Sequence, residues 1–346
     1  MNRLNCGDIL NKALAGIKPS EREIAYLLSM DGADERETLF RTARALREKY
    51  FGNRVFLYGF VYFSTYCKND CAFCNYRVSG GEHRYRKSME DIVHAAVELK
   101  ESGVHLIDLT MGEDPYYYRN PGKLLDIIRR VKEATGLYVM VSPGVVPHAL
   151  IDEFKKTGAL WYALYQETYS RELFLKMRVS QSFEARYDAK LHARETGLLV
   201  EEGLLTGAGD DAFSLAHSIL SMERVRPSQV RVMTYIPPGG GAGIDFGTEI
   251  LAIAVMRVLY PKLLIPASLD VEGLGGLGDR LGAGANVVTS LIPPGSGFNG
   301  VANSSLDIDF GRRTVSGIAE TLGQCGLTAA EAGEYRDWVR EQKCMC

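Results

Sequence analysis

The sequence predicts an α/β protein, a (β/α)8 TIM-type barrel with an N-terminal helical cap. Eight apolar, β-rich runs alternate with amphipathic stretches along most of the chain, and no internal repeat or low-complexity linker divides it. Strands that alternate with helices pair in parallel through right-handed crossovers, and a count of eight favours a closed barrel. An open, doubly wound sheet stays the alternative.

The first fifty residues are predicted to be helical, because Leu39, Ala43 and Leu46 recur at helical spacing. We predict strands over 55–63, 105–110, 138–142, 160–165, 199–205, 229–235, 263–269 and 286–291. We predict helices over 21–28, 34–49, 89–102, 121–135, 147–156, 183–195, 212–223, 248–259, 274–281 and near 312–325. The chain is thus one domain with a cap (1–50), a barrel (51–310) and a C-terminal helix and tail (311–346).

Composition narrows the class of partner. Hydrophobic residues make up 46% of the 346 residues, which is ample for a large core, and the net charge is −3 with a pI near 6.1. Such a chain has no basic field for nucleic acid and no polybasic membrane anchor, so we expect small-molecule partners. No apolar signal region or bilayer-length apolar run is present, and we expect a cytoplasmic protein with reduced thiols.

Three cysteines lie in a CxxxCxxC loop directly after the first strand, at Cys67, Cys71 and Cys74. Iron–sulfur clusters that only transfer electrons normally have four cysteine ligands, so three ligands leave one iron open to a small molecule. A zinc site is the weaker alternative, because the loop has no nearby fourth ligand and the six histidines form no ligand-spaced pair. A disulfide framework is weaker still, since the chain has an odd total of seven cysteines.

Polar side chains follow the next three strands, where barrel enzymes place their active sites. These candidates, with one arginine that opens the following helix, are Asp108, Glu113, Ser142, Tyr165, Glu167 and Arg186. Arg186 is suited to a carboxylate, which a guanidinium can bind through two parallel hydrogen bonds, and Glu167 is suited to an ammonium. The alternative for either charge is a surface salt bridge.

Arg231 is a charge inside a predicted strand. The two-residue period of a strand places it on one face, and on the seventh strand Ser268 and Asp270 share a face in the same way. A charge in the lumen must be paired, and together with Asp108 these residues form a pocket suited to a zwitterion with an extra ammonium. The alternative is a structural ion-pair network. The glycine run 239–243 lacks the Lys-Ser/Thr of a phosphate loop and is predicted to be a flexible loop.

The chain resembles the methylornithine synthase family of radical S-adenosylmethionine (SAM) enzymes, which serves pyrrolysine biosynthesis. The similarity runs from about residue 20 to about residue 305, and its most specific segments are 50–56, 62–69, 108–118, 165–169, 231–234 and 265–272. It extends more loosely to biotin synthase and the hydrogenase-maturation radical enzymes. Phe73, just before the last cysteine, is the aromatic that in this superfamily lies beside adenine, and Met111-Gly112-Glu113 resembles its Gly-Gly-Glu element.

The resemblance implies an isomerase that converts L-lysine to (3R)-3-methyl-D-ornithine. It implies a [4Fe-4S] cluster on Cys67, Cys71 and Cys74, and reductive cleavage of SAM with electrons from a donor such as flavodoxin or ferredoxin. It assigns the amino acid to Asp108, Arg231, Ser268 and Asp270. It assigns SAM to Phe73, Glu113, Ser142, Tyr165, Glu167 and Arg186.

Two rival functions stay open. A non-catalytic iron–sulfur protein would share the cluster, but it would have no use for a charged lumen. A different radical SAM enzyme of the biotin synthase or hydrogenase-maturase type would share the cluster and act on another substrate. Biotin synthase chemistry consumes an auxiliary cluster, and no second group of cysteines lies within the predicted barrel.

Overall fold

The structure is a computed structural model of the chain and describes residues 4–81, 83–238, 244–302 and 312–344. The predicted loop at 239–243 lies outside the described residues. No described helix is both long and apolar enough to cross a bilayer.

Eight parallel strands form the wall of a barrel, as the sequence predicts. They are β1 (Arg54–Ser64), β2 (Leu106–Met111), β3 (Tyr138–Ser142), β4 (Ala159–Ala163), β5 (Leu199–Thr206), β6 (Gln229–Thr234), β7 (Pro266–Ser268) and β8 (Val287–Leu291). Their order in the sheet is β6-β5-β4-β3-β2-β1-β8-β7. A parallel bridge from Gln229 to Leu264, just before β7, nearly closes the ring. The predicted barrel is therefore confirmed, although β7 is shorter than its predicted span.

Helices surround this wall, and the N-terminal segment before β1 is itself helical. They are α1 (Cys6–Leu14), α2 (Glu21–Leu28), α3 (Ala33–Phe51), α4 (Met89–Ser102), α5 (Pro115–Arg119), α6 (Pro121–Thr135), α7 (His148–Thr157), α8 (Arg171–Met177), α9 (Phe183–Glu195), α10 (Ala212–Ser221), α11 (Gly247–Leu259), α12 (Leu277–Gly282), α13 (Val315–Gln324) and α14 (Ala332–Cys344). The predicted helices are confirmed, with ends shifted by a few residues, and α1, α5, α8 and α14 are additional. Of these, α5 and α8 are too short for helical periodicity to show clearly in the sequence.

The first strand, β1, carries the cysteine loop and is buried along nearly its whole length. Such a strand is apolar on both faces, because one face lines the barrel and the other meets the helices. Gly59 lies in its middle, and a Cβ atom there would be only 2.9 Å from the methyl carbons of Leu99 on α4. The glycine therefore lets α4 pack closely on the strand that positions the loop.

The opposite end of the barrel is closed by residues that the sequence predicted to be a tail. A two-residue strand, β9 (Thr328–Ala329), pairs with the start of β1, and α14 follows it. The hydroxyls of Tyr335 and Tyr58 lie 2.9 Å apart, and the rings of Trp338 and Trp161 stack with centroids 5.8 Å apart. We call this layer the barrel floor. The tail prediction was wrong for these residues, whereas the domain bounds at 50 and 310 stay predictions.

Candidate active site

The cysteine loop leaves the C-terminal end of β1, and its three sulfurs line one cavity. The backbone N–H of Asn69 donates to Sγ of Cys67 at 3.4 Å, and that of Tyr76 donates to Sγ of Cys74 at 3.3 Å. Sγ of Cys71 accepts from Nε2 of Gln181 at 2.9 Å. All three thiols are free of disulfides. Each sulfur thus has a donor that would stabilise a negative charge on it.

The residues present fit a cluster better than a single ion. Zinc lies about 2.3 Å from its sulfur ligands, so they must converge closely, and no group of three or more His, Cys, Asp or Glu side chains within the described ranges converges in this way. Burial raises the pKa of Cys67 and raises that of Cys74 to about 12, so these thiols would stay protonated without a metal. The pKa values apply equally to zinc and to a cluster, so it is the lack of close convergence among the described side chains that favours the predicted cluster.

The segment after β2 packs directly on the cysteine loop. A Cβ atom at Gly112 would overlap the carbonyl oxygen of Tyr66 and lie 2.9 Å from Cβ of Cys67, so only glycine fits there. The next residue, Glu113, accepts at Oε1 from the backbone N–H of Val145 at 3.1 Å. Gly112, the middle residue of the predicted Met-Gly-Glu element, therefore makes close backbone contact with the loop. Glu113, its last residue, lines the cavity.

Two buried arginines lie beside this carboxylate. Arg186 donates from Nε to the carbonyl oxygen of Tyr165 at 2.6 Å, and its Nη1 lies 3.7 Å from Oε1 of Glu113. Arg178 pairs with Glu167, and both side chains are buried. The alternative of a surface salt bridge for Glu167 or Arg186 is thus excluded, because both residues are buried and line the cavity. Arg178 was not predicted, because it lies in a turn between two helices, where no strand or helix periodicity distinguishes a buried charge from an exposed one.

The lumen holds the Arg231 side chain, which is 2% exposed. Its Nε donates to Oε1 of Glu201 on β5 at 2.7 Å, and its Nη1 reaches Oγ of Ser268 at 3.4 Å. Although burial opposes a charge here, Glu201 raises the pKa of Arg231 and keeps it cationic. We expected Asp108 and Asp270 to supply the counter-charge, and the direct partner is instead Glu201. The run Leu199-Val200-Glu201 places a charge inside a strand, as Arg231 does, and this signal could have revealed it.

The two predicted aspartates have other partners. Oδ1 of Asp108 accepts from the hydroxyls of Thr110 and Ser142, each at 3.0 Å, so Ser142 lies at the aspartate. Burial, and then the nearby Glu201 charge, raise the pKa of Asp108 to about 7.

Asp270 accepts at Oδ1 from the Tyr62 hydroxyl at 2.8 Å and pairs with Nη1 of Arg313 at 3.2 Å. Arg313 was not predicted, because it follows a long stretch after β8 and belongs to no strand.

A single cavity brings the predicted residues together. It contains about 1050 Å³ of empty space including its solvent-open part. Every predicted site residue except Ser268 lines it. These lining residues are Cys67, Cys71, Phe73, Cys74, Asp108, Glu113, Ser142, Tyr165, Glu167, Arg186, Arg231 and Asp270.

Four buried atoms of residues that line this cavity have no hydrogen-bond partner within the described part of the chain. They are Oδ2 of Asp108, Oε2 of Glu167, Nε of Arg178 and Nη2 of Arg231. Buried polar atoms are nearly always paired, so we expect unpaired ones beside a cavity to find their partner in a ligand. Their charges suit cations at the two carboxylates and anions at the two guanidinium groups.

Comparisons with known proteins agree with this arrangement. The model of the radical SAM superfamily matches residues 61–210, a range that spans the cysteine loop. The chain is 44% identical to the 3-methylornithine synthase of Methanosarcina acetivorans over 95% of both chains. It is 43% identical to that of Methanosarcina barkeri over 94% of both. A crystal structure of methylornithine synthase (PylB) superimposes with a TM-score of 0.89 and 41% identity, covering 95% of this chain and 99% of that one.

Proposed function

Since the chain belongs to the 3-methylornithine synthase family of the radical SAM superfamily, we propose that it converts L-lysine to (3R)-3-methyl-D-ornithine. One observation carries the proposal. A buried guanidinium and a buried carboxylate, on Arg231 and Asp108, each have an unpaired atom, and both residues line the same cavity as three cysteines. A second lumenal carboxylate lies on Asp270. A charged lumen beside a three-cysteine loop is what an amino-acid radical enzyme needs.

The cofactor side of the cavity is formed by the cysteine loop and the segments after β2, β3 and β4. Cys67, Cys71 and Cys74 would hold a [4Fe-4S] cluster, which when bound supplies the electron that cleaves SAM to a hydrogen-abstracting carbon radical. Arg186 and Glu113 offer opposite charges for the carboxylate and ammonium of the methionine end of SAM. Phe73, Ser142, Tyr165 and Glu167 line the remaining space.

The substrate side is the charged lumen. Lysine carries one carboxylate and two ammonium groups, and the lumen offers Arg231 for the carboxylate and the two aspartates for the ammonium groups. Ser268 contributes through its contact with Arg231. Holding both ends of a flexible chain fixes which hydrogen faces the radical, and such positioning accounts for a large part of a catalysed rate. The barrel wall and floor shield the reacting groups from water at the sides and at the opposite end of the barrel.

The decisive experiment incubates the reconstituted, reduced protein with SAM and L-lysine. We expect 3-methylornithine, identified by mass spectrometry and chiral separation, together with 5′-deoxyadenosine if SAM is consumed. Protein that cleaves SAM and ignores lysine would move the assignment to another radical SAM reaction. Protein that shows no spectral response to SAM would favour a non-catalytic iron–sulfur protein. An electron donor such as flavodoxin or ferredoxin and a cytoplasmic location stay part of the proposal.

Binding of the amino acid is expected to depend on pH through Asp108. Its pKa is raised to about 7, so the carboxyl is neutral below that value and charged above it. A charged carboxylate attracts the substrate ammonium and a neutral one does not, so lysine affinity should rise as the pH increases from about 6 to about 8. Isothermal titration of the reconstituted protein across this range checks the prediction. In Asp108→Asn the rise should disappear, and a rise that persists would assign the titration to another group.

Cofactor binding is expected to depend on Arg186. The residue is 4% exposed and its guanidinium already donates to the carbonyl oxygen of Tyr165, so Arg186→Ala should remove a charge-assisted contact of about 1.5–3 kcal/mol. SAM affinity should fall at least about tenfold while iron content is unchanged. Arg171→Ala is the matched control, because Arg171 begins the neighbouring helix and pairs with Glu184 on the exposed surface. Equal SAM affinity in the two variants would contradict the assignment.

A further inference from the structure

The turn between α8 and α9 lies against the cysteine loop. The backbone N–H of Ala72 donates to the carbonyl oxygen of Met177 at 2.8 Å, which ties the loop to the end of α8. Within the turn, Ser180 has a φ of 63°, a left-handed conformation that costs a non-glycine residue free energy. The backbone reverses there directly before Gln181, whose side chain reaches the loop.

The Gln181 side chain makes three contacts, and they connect both parts of the cofactor site. Its Nε2 donates to Sγ of Cys71 at 2.9 Å. Its Oε1 accepts from Nη1 of Arg186 at 3.1 Å and from Nη1 of Arg178 at 3.3 Å. One amide thus contacts a predicted cluster ligand on one side and the predicted SAM arginine on the other.

The orientation of this amide follows from the chemistry of its neighbours. A guanidinium carries only donors, so the amide atom that faces Arg178 and Arg186 must be the carbonyl oxygen. The NH2 group is then left facing Cys71, where it meets sulfur. In the flipped orientation NH2 would oppose two guanidinium groups and oxygen would oppose a thiolate, and both contacts would be repulsive.

We propose that Gln181 is a positioning residue that sets the reduction potential of the cluster and the affinity for SAM through the two ends of one amide. The inference rests on the proposed function, because it requires a cluster on Cys71. An N–H donor to a ligating sulfur stabilises the additional negative charge of the reduced cluster, so it raises the potential. The carbonyl end holds Arg186 beside Glu113, where the guanidinium is ready to accept a carboxylate.

Two variants separate the two ends of the amide. Gln181→Met keeps the length of the side chain and removes both donor and acceptor. Gln181→Glu removes the donor to sulfur, keeps an oxygen for the arginines and adds a charge. The reduction potential is measured by titration with electron paramagnetic resonance detection, and SAM affinity by calorimetry on the oxidised, reconstituted protein. Neither measurement needs turnover.

We expect both variants to load iron and sulfide as the wild type does, since the three cysteines are intact. The potential should become more negative in Gln181→Met and more negative again in Gln181→Glu, because the carboxylate also repels the thiolate. SAM affinity should fall about fivefold in Gln181→Met, because Arg186 loses one of the hydrogen bonds that hold it in place, and should be retained in Gln181→Glu. Gln324→Met is the control, since Gln324 is exposed and its side chain donates to Glu320 one helical turn away.

Several results would overturn the proposal. An unchanged potential in Gln181→Met with a lowered one in Gln181→Glu would assign the effect to charge alone. Equal SAM affinity in Gln181→Met and wild type would remove the link to Arg186, and loss of the cluster in both variants would make Gln181 a folding residue. Failure of the proposed function is distinct from these, because wild-type protein itself would then bind no cluster or leave lysine unchanged.

Discussion

Replacement of Cys74 by alanine is expected to abolish both the brown cluster chromophore and the cleavage of SAM. Cys74 is one of three sulfurs that line the cavity, and each has a hydrogen-bond donor suited to a ligating thiolate. With two cysteines left, a cubane would have two irons without a protein ligand, so it would be lost or held in an inactive form. Iron and sulfide analysis, the visible spectrum and assay of 5′-deoxyadenosine measure the outcome.

The control for this experiment is Cys325→Ala. Cys325 is a free cysteine at the end of α13, and its contact is a weak one from Sγ to the carbonyl oxygen of Gly278 at 4.0 Å. This variant should keep the wild-type cluster and rate. Wild-type production of 5′-deoxyadenosine by the Cys74→Ala protein would refute the assignment of the cysteine loop.

Replacement of Asp270 by asparagine is expected to stop formation of 3-methylornithine while slow, uncoupled cleavage of SAM continues. Asparagine keeps the shape and an oxygen for the Tyr62 hydroxyl, but it removes the negative charge that faces the cavity. A substrate ammonium would then be buried without its counter-charge. Product formation should fall by at least about a hundredfold, corresponding to ~3 kcal/mol. Separate assays of 3-methylornithine and 5′-deoxyadenosine distinguish the two effects.

The same variant should also lose stability. Asp270 pairs with Arg313, and both side chains are almost fully buried, so removal of one charge leaves the other without its counter-charge. The free energy of unfolding should fall by up to about 3–5 kcal/mol, measured by denaturant titration. Glu272→Gln is the control, because Glu272 pairs with Arg280, which keeps its contacts with Glu249. A folded Asp270→Asn protein that converts lysine normally would show that this carboxylate is structural.

The sequence predicted the barrel well because buried parallel strands leave a strong signal. The run over β1 is apolar at nearly every position, and an amphipathic helix such as α4 begins with a serine cap and ends at a glycine with φ of 98°. The barrel floor was not predicted, for a physical reason. A two-residue strand has no periodicity, and α14 is mostly polar, so neither stands out from a tail.

Site residues were predicted where a charge interrupts an apolar strand. They were missed where a residue contributes by holding another site residue in place. Arg231 was found in the first way, and Asp270 was found because it follows Ser268 at the end of the seventh strand. Glu201 gives the same signal as Arg231, but it stands beside Glu202 and was not separated from it. Arg178 and Gln181 lie in a turn, and only the folded chain shows that they reach the cysteine loop.

The barrel floor determines how late the fold can be completed. Its strand pairs Arg54 with Thr328, and its tryptophan stacks on Trp161, so it joins distant parts of the chain. The other described elements are synthesised before α14, and until then Tyr58 and Trp161 have no cover on that side. Contacts of such wide sequence separation are slow to form, because loop-closure entropy is lost before they stabilise the chain. We therefore expect slow final closure of the barrel, with an aggregation-prone intermediate whose aromatic residues are still accessible to solvent.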